Sequence, residues 1–507
     1  MNFAKYFSEV YLSKNNKSED RSVRFFSSSL AENVEFFKRE FDESADLSVR
    51  YIDVSGVSSA VITIGGMISK DTLTQSVVMP IIYSDIKGET AREKYEFIRD
   101  NVIAASDQVQ VSNFDDAFNM IMSGFALFAM DGCDAMISLG VQGFPFRSVS
   151  EPSTEVMQRG SREGFVEPVM INMTLIRRRL KSTKLKFELS EVGKTSRTTV
   201  CLCYMKDKVS NEVLEKLKKS LAKVDLETVV ESGYLIPYLE DDIDFSLFSG
   251  IGMTERPDTV CGKISEGRIA VLIDGTPNAL IVPYLFVEYF QHLDDYSRHP
   301  YFATFTRWLK YIAFFISVLL PGLYVGISTF SPEILPQAIF VKIALAVGTT
   351  PFSLMTETII IHLIYEIMRE AGLRIPRPLG HAVSIVGALV IGETAVSSGL
   401  IGAPTLMVVA LTAISSYVIP NLYEPISILK FLFVIVGGIF GVWGIMIIFT
   451  AVLINICAKN SYGVPFTSPL SPFNILAMRD VLVQCGWKFL SKKSIKVQDL
   501  PGSEIKN

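Results

Sequence analysis

Four ionisable side chains, Glu357, His362, Glu366 and Glu393, lie in stretches otherwise built of hydrocarbon. A charge in such surroundings is costly, so by default it marks a cavity, a pathway or a buried partner. Glu393 is the most isolated, with no other charged residue within ten positions on either side. A carboxylate there must be protonated, hydrogen-bonded between helices, or turned toward water or a cation. Glu357, His362 and Glu366 share one helix. At about 100° per residue the two glutamates point about 180° apart, whereas His362 and Glu366, four apart, share a face. The chemistry on offer is cation passage, with Glu366 and His362 along a path, Glu357 near its mouth and Glu393 within it. The alternative is structural: Glu357 at an interface, the others paired with Arg369 or a neighbouring helix.

Nothing points to catalysis. The chain has no GxxxxGK[ST], HExxH or GxSxG, and its four histidines (His292, His299, His362, His381) are scattered. Cys133, Cys201, Cys203, Cys261, Cys457 and Cys485 show no metal-ligand spacing and read as buried free thiols. No enzyme activity, cofactor or metal is expected. Net charge is −5 with no basic excess, so nucleic acid is not an expected partner.

These groups sit in a region made for lipid. Between Tyr311 and Cys457 there are only eleven charged side chains, while the first 300 residues are densely charged. Residues 311–330 form an uncharged run long enough to cross about 30 Å of hydrocarbon, interrupted by Pro321-Gly322. Further candidate spans are 334–347, carrying Lys342 as a counter-ion for Glu393 or a snorkelling cation, then 352–368, 383–400, 404–419 and 431–456. In the last, Gly437, Gly438, Gly441 and Gly444 allow close helix approach. Five or six crossings fit. The cluster Arg369, Arg374 and Arg377 belongs inside by the positive-inside rule, which demands an odd number of crossings between Phe330 and Arg369. Two segments lie there, so either one of them does not cross or the rule is broken.

The N-terminus lacks a basic start followed by an apolar run, so the soluble region is expected to stay in the cytoplasm. Residues 1–44, charged and serine-rich, read as a mobile or loosely docked arm. Residues 45–148 read as a first small α/β domain, with strands at 48–54, 58–64, 125–130 and 135–139 and helices at 70–83 and 114–123. Residues 149–305 read as a second, with helices at 167–180 and 211–223, a strand at 198–205 and a hairpin-like pair at 268–273 and 279–282. The fold class is thus an α/β soluble N-terminal region of two domains, followed by an all-α multi-span transmembrane domain (306–458) and a C-terminal tail (459–507). Arg177, Arg178 and Arg179, being consecutive, point different ways and read as a solvated face touching headgroups or a partner subunit. Arg256, Asp258 and Arg268 read as turn and domain-contact elements, as do Arg369 and Arg374 at the membrane edge.

Several short blocks recur in a fixed order. They include Glu-Pro-Ser-Thr-Glu (151–155), Thr-Leu-Ile-Arg-Arg-Arg (174–179), Thr-Glu-Arg-Pro-Asp (254–258) and Glu-Gly-Arg-Ile-Ala-Val-Leu-Ile-Asp-Gly-Thr-Pro (266–277). Arg-Glu-Ala-Gly-Leu-Arg-Ile-Pro (369–376), Val-Gly-Ala-Leu-Val-Ile-Gly (386–392) and Ser-Tyr-Gly-Val-Pro-Phe (461–466) follow. In order and spacing, over roughly residues 150–470, the chain resembles the A subunits of GerA-family spore germination receptors. That resemblance implies a germinant-receptor subunit in the spore inner membrane, its soluble region on the core side. It implies a permease-like B subunit and a lipoprotein C subunit as partners, and a homo-oligomer in the lipid bilayer forming a gated cation path. His362 stands where the family shows a third Glu, a departure that bears on any pore chemistry needing three carboxylates. An accessory branch shares the soluble motifs, so a non-conducting scaffold is the alternative. A secondary transporter, suited by breaks at Pro321, Pro351 and Pro404, lacks an internal repeat.

Overall fold

The structure is a computed structural model that describes residues 24–105, 107–143, 152, 155, 157, 159–240, 246–375, 392–474, 477–486, 490 and 495–505. In the first domain, β1 (Leu47–Val54) and β2 (Val57–Ile64) are joined by Ser55-Gly56, both at positive φ (50° and 83°), the backbone of a tight hairpin turn. β3 (Gln108–Val111), β4 (Ala126–Met130) and β5 (Met136–Leu139) complete an antiparallel sheet of order β1-β2-β4-β5-β3. β4 and β5 are buried throughout because both sheet faces are covered, which is why they read as unbroken apolar runs.

The arm expected over residues 1–44 is, from Leu30 on, a helix of this domain. α1 (Leu30–Phe41) is capped by Ser29, whose hydroxyl accepts from Glu32 N. Leu30, Val34, Phe37 and Phe41 recur at helical spacing and are buried on the sheet with α2 (Phe114–Ile121). The phenylalanines that look scattered in sequence form one stripe.

The second domain has α3 (Val169–Arg179), β6 (Leu185–Val192), β7 (Thr198–Met205), α4 (Asn211–Ala222), β8 (Gly252–Thr254), α5 (Pro257–Ser265), β9 (Ile269–Ile273) and β10 (Ala279–Val282). Its sheet, order β6-β7-β9-β10-β8, is again wholly antiparallel. α3 and α5 cover one face. The turn after β9 also holds α3: Asp274 Oδ1 accepts from Val169 N at 2.9 Å. The other face is closed by α4 together with Tyr462, Val464, Val497 and Ile505. The expected separate tail is therefore part of this domain, anchored by Ser461 Oγ on Gly250 O, Tyr462 OH on Leu239 O and Val497 N on Glu266 O.

The connector between α1 and β1 docks the two domains. Ala45 N donates to Phe187 O and the Ser44 hydroxyl accepts from Phe187 N. Arg177, fully buried, grips Asp46 with Nε and Nη2 at 2.7 and 2.9 Å and gives Nη1 to the carbonyls of Ser182 and Leu185. Removing one partner of such a pair strands the other charge away from water. Arg177→Ala is expected to destabilise this docking by about 3–5 kcal/mol, and Arg177→Met with Asp46→Leu by much less. A Tm of Arg177→Ala equal to that of the parent chain would refute the assignment.

The C-terminal half is a helical bundle. α6 (Pro300–Phe330) runs on through Pro321 without the expected interruption, while Gly322 packs backbone to backbone on Phe433. α7 (Gln337–Gly348), α8 (Leu354–Arg374) and α9 (Ala403–Tyr417) follow, and α10 spans Tyr423–Ala458. α10 is not the single long span expected. At Gly441 φ is 64° and ψ −154°, a conformation open only to glycine, and the helix folds back. Residues 423–440 rise alongside α6, with Gly322 against Phe433 and Gly326 against Gly437. Residues 442–458 descend, with Ile445 against Gly326 and Phe449 against Phe315. Each arm, at 1.5 Å per residue, is about 26 Å long. With Phe315→Cys and Phe449→Cys in one chain (Cys457 replaced by Ser), a short bis-thiol reagent is expected to cross-link the two. Failure to cross-link in folded protein would return α10 to one straight helix.

Candidate functional site: the ionisable groups of the bundle and its domain junction

α8 descends from the distal end of the bundle toward the soluble domains, and its two glutamates reach opposite neighbours, as their nine-residue separation requires. Glu366 reaches α10. It accepts from Tyr423 OH at 2.6 Å, Ser427 OH at 3.3 Å and the Lys430 ammonium, while Arg369 Nε lies 3.5 Å away. Arg369 also stacks 3.5 Å above the Tyr423 ring. One carboxylate is thus shared by two cations and two hydroxyls. It is a brace between helices, not an open lining group.

Glu357 reaches α9. Fully buried, it accepts from Gly402 N at 2.8 Å and Thr350 Oγ1 at 3.3 Å. Gly402 is the N-cap of α9, so the carboxylate sits at the positive end of a helix dipole. It lies in the first turn of α8, at the end of the bundle away from the soluble domains. His362, also fully buried, meets Phe431 edge-on at 6.0 Å, and neither ring nitrogen has a hydrogen-bond partner among the described residues. Glu393 stands apart: it is exposed, in the first turn of the short helix Gly392–Ser397. Half of its expected span, residues 383–391, lies outside the described residues. The next two residues, Thr394 and Ala395, share with Glu357 a cavity of about 380 Å³. Lys342 is exposed on α7, and no ion pair joins it to Glu393 among the described residues. Within one chain, then, Glu366 and His362 turn toward α10, Glu357 toward α9, and the four enclose no common path.

The soluble arginines are mostly committed. A solvated face does not describe Arg177, which lies in the domain dock; Arg178 and Arg179 reach Glu163. Arg256 pairs with Asp258 and holds the carbonyls of Glu155 and Ser161 against the start of α5. Arg268 bridges Glu266 and Glu288. Burial works to raise the Glu288 carboxyl, but Arg268 and Lys263 outweigh it and hold it below its ordinary value. Burial raises the Glu155 carboxyl even though Thr254 and Glu255 N donate to it. Arg374 pairs with Glu370 on an open helix face, where such a pair contributes little.

The second domain is joined to the bundle by one apolar cluster: Phe248, Phe290 and Phe466 pack with Phe314, Ile426, Leu429, Phe433 and Ile456. Beside it Arg307, fully buried, bonds Asp480 at 3.0 Å and Asp295 at 3.4 Å, and Lys310 bonds Asp295 at 3.0 Å. None of Asp46, Asp295, Asp480 or Lys430 is assigned a role by sequence reasoning. For Lys430 a signal exists: Tyr423, Ser427 and Lys430 recur at four and three residues, a polar stripe on an apolar helix.

Two antiparallel layered domains are joined to an apolar helical bundle, in which, among the described residues, two helical stretches, Pro300–Phe330 and Pro420–Ala458, have the length and apolarity of membrane spans, the second folded back at Gly441. The chain belongs to the Bacillus/Clostridium GerA spore germination protein family, whose model matches residues 35–495. It is 36% identical to spore germination protein KA of Bacillus subtilis (strain 168), over 93% of this chain and 87% of that one. It is 32% identical to spore germination protein GerLA of Bacillus cereus, over 87% of this chain and 90% of that one. It is 33% identical to a protein named as the uncharacterized membrane protein YfkQ of Bacillus subtilis (strain 168), over 94% and 92%. Among solved structures, the N-terminal domain of the A subunit of the Bacillus megaterium spore germinant receptor GerK3 is 27% identical with a TM-score of 0.41, covering 52% of this chain and 99% of that domain.

The brace is open to a double-variant test. Lys430→Met, which leaves Glu366 short of a cation, is expected to destabilise the detergent-solubilised chain by about 2 kcal/mol. Adding Glu366→Gln should recover most of that loss; a double variant no more stable than the single would dissolve the pairing.

Proposed function

We propose that this chain is the A subunit of a nutrient germinant receptor in the spore inner membrane. Its soluble domains face the spore core, and it works with a permease-like B subunit and a lipoprotein C subunit. It assembles as a homo-oligomer that passes cations when the soluble domains shift. The observation that carries the reading is the apolar junction: one cluster ties the second domain to α6 and to both arms of α10, so displacing the domain displaces three helical segments together.

Topology supports the membrane reading. α6 starts at the second domain and the tail after α10 folds into the same domain, so the bundle crosses an even number of times. α7, with 12 residues and about 18 Å of length, is too short to cross, and its Ala346 lies beside Gly402 at the distal end. α8 is then the one crossing between Phe330 and Arg369, and Arg369 and Arg374 fall on the domain side, as the positive-inside rule asks. Glu393, exposed and without an ion pair among the described residues, is the group we assign to an oligomeric path. Glu357 and the Glu366–Lys430 brace hold the helices around it, and His362 sits between them.

The scaffold reading draws on a different observation: the Glu366 carboxylate is already taken up by two cations, Lys430 and Arg369. Planar-bilayer recording with the purified chain separates the two readings. Conduction predicts a cation current that Glu393→Gln lowers about tenfold. A silent parent chain favours the scaffold, and a current indifferent to Glu393→Gln removes that residue from the path.

A further inference from the structure

Past the buried Val481 the C-terminal segment runs along the first turns of α6. The Trp308 indole N–H donates to Leu482 O at 2.8 Å, and Gln484 N donates to Thr304 Oγ1 at 3.0 Å. These bonds hold residues 482–484 level with residues 304–308 and engage Leu482 O and Gln484 N. What remains facing outward is hydrocarbon: Leu482 and Val483 are 37% and 50% exposed. Beside them on α6, Phe302, Phe305 and Trp308 are 49%, 59% and 54% exposed. The flank continues without a break through Ile312 and Phe315 into the apolar run of α6. Just inward of this collar lies the Arg307–Asp295–Asp480 cluster, which fixes the tail to the helix.

We propose that Leu482 and Val483 are seated in lipid at the boundary between headgroups and acyl chains, making the returning tail an interfacial anchor for the second domain. Apolar side chains presented by a segment lying along the surface bury to that depth, and tryptophan and other aromatic residues favour the same zone. The anchor rests on the membrane reading above and adds to it a fixed height for the second domain over the bilayer.

The test uses the full chain in phosphatidylcholine nanodiscs, with Cys457 and Cys485 replaced by Ser and an environment-sensitive fluorophore placed at Val483→Cys. Leu482→Cys gives a second position. The expected result is blue-shifted emission that falls by about half with lipid spin-labelled near the headgroup, and less with lipid spin-labelled at the chain end. Water-like emission overturns the proposal. So does blue-shifted emission that neither lipid quenches, because a protein partner or second copy then covers the site. Ile447→Cys, on the exposed flank of α10, separates the two failures. Quenching at 447 with none at 482 or 483 overturns the anchor alone, while quenching at none of them overturns the membrane reading itself.

Discussion

Both ends of the helical bundle are held by one soluble domain, and that constraint organises the rest of the molecule. α6 leaves the second domain, and the segment after α10 returns to complete its core through Tyr462, Val464, Val497 and Ile505. A tail that packs as core cannot be on the far side of a membrane from the sheet whose face it covers. The fold-back at Gly441 is a direct consequence. If α10 were one straight helix, its end would lie far from the sheet that buries residues 462–464. The glycine is needed because a φ of 64° with ψ of −154° is closed to any residue with a Cβ, and because Phe330 lies against the turn.

The charges in the bundle follow from the same confinement. In low-dielectric surroundings an unpaired ion costs far more than a paired one recovers, so the carboxylates that face inward have found donors. Glu366 has Lys430, Arg369 and two hydroxyls; Glu357 has the end of α9 and Thr350. His362 is the exception, lodged between these two sites with nothing to bond among the described residues. A buried imidazole in that position is a polar atom held in apolar packing, a local cost of the arrangement seen.

Much of the layered fold was legible because its signals are local. The short apolar and β-branched runs of β1, β2 and β7, the hairpin turns at Ser55-Gly56 and Asp274–Asn278, and the apolar stripe of α4 each depend on a few neighbouring residues. β6 was missed because its outer half, Glu188 to Glu191, reads as polar surface, and β3 because Gln-Val-Gln-Val is short. The domain dock, the tail closing the second domain's core and the Glu366–Lys430 brace were out of reach for a different reason. Each joins residues more than sixty positions apart, and no periodicity encodes that. Arg177 shows the limit well: three consecutive arginines look alike in sequence, yet one is fully buried and two touch a surface glutamate.

Stiffness is distributed unevenly along this chain, and that bears on how a signal would travel. At the domain-side end, helix positions are fixed by the phenylalanine cluster, the Arg307 ion pairs and the Glu366 brace. Where Gly322 and Gly326 let α6 touch α10 backbone to backbone, packing is closest. At the distal end the contacts thin: only Ile343 of α7 is buried, and Leu345 and Met407 are largely exposed. Exposed hydrocarbon of that extent needs lipid or a second copy against it. A displacement entering through the second domain would pass rigidly up the glycine-packed pair of α6 and α10. It would find compliance around α7, α9 and the cavity beside Glu357. Among the described residues the least constrained part of the bundle is therefore the end away from the soluble domains, which carries Glu393.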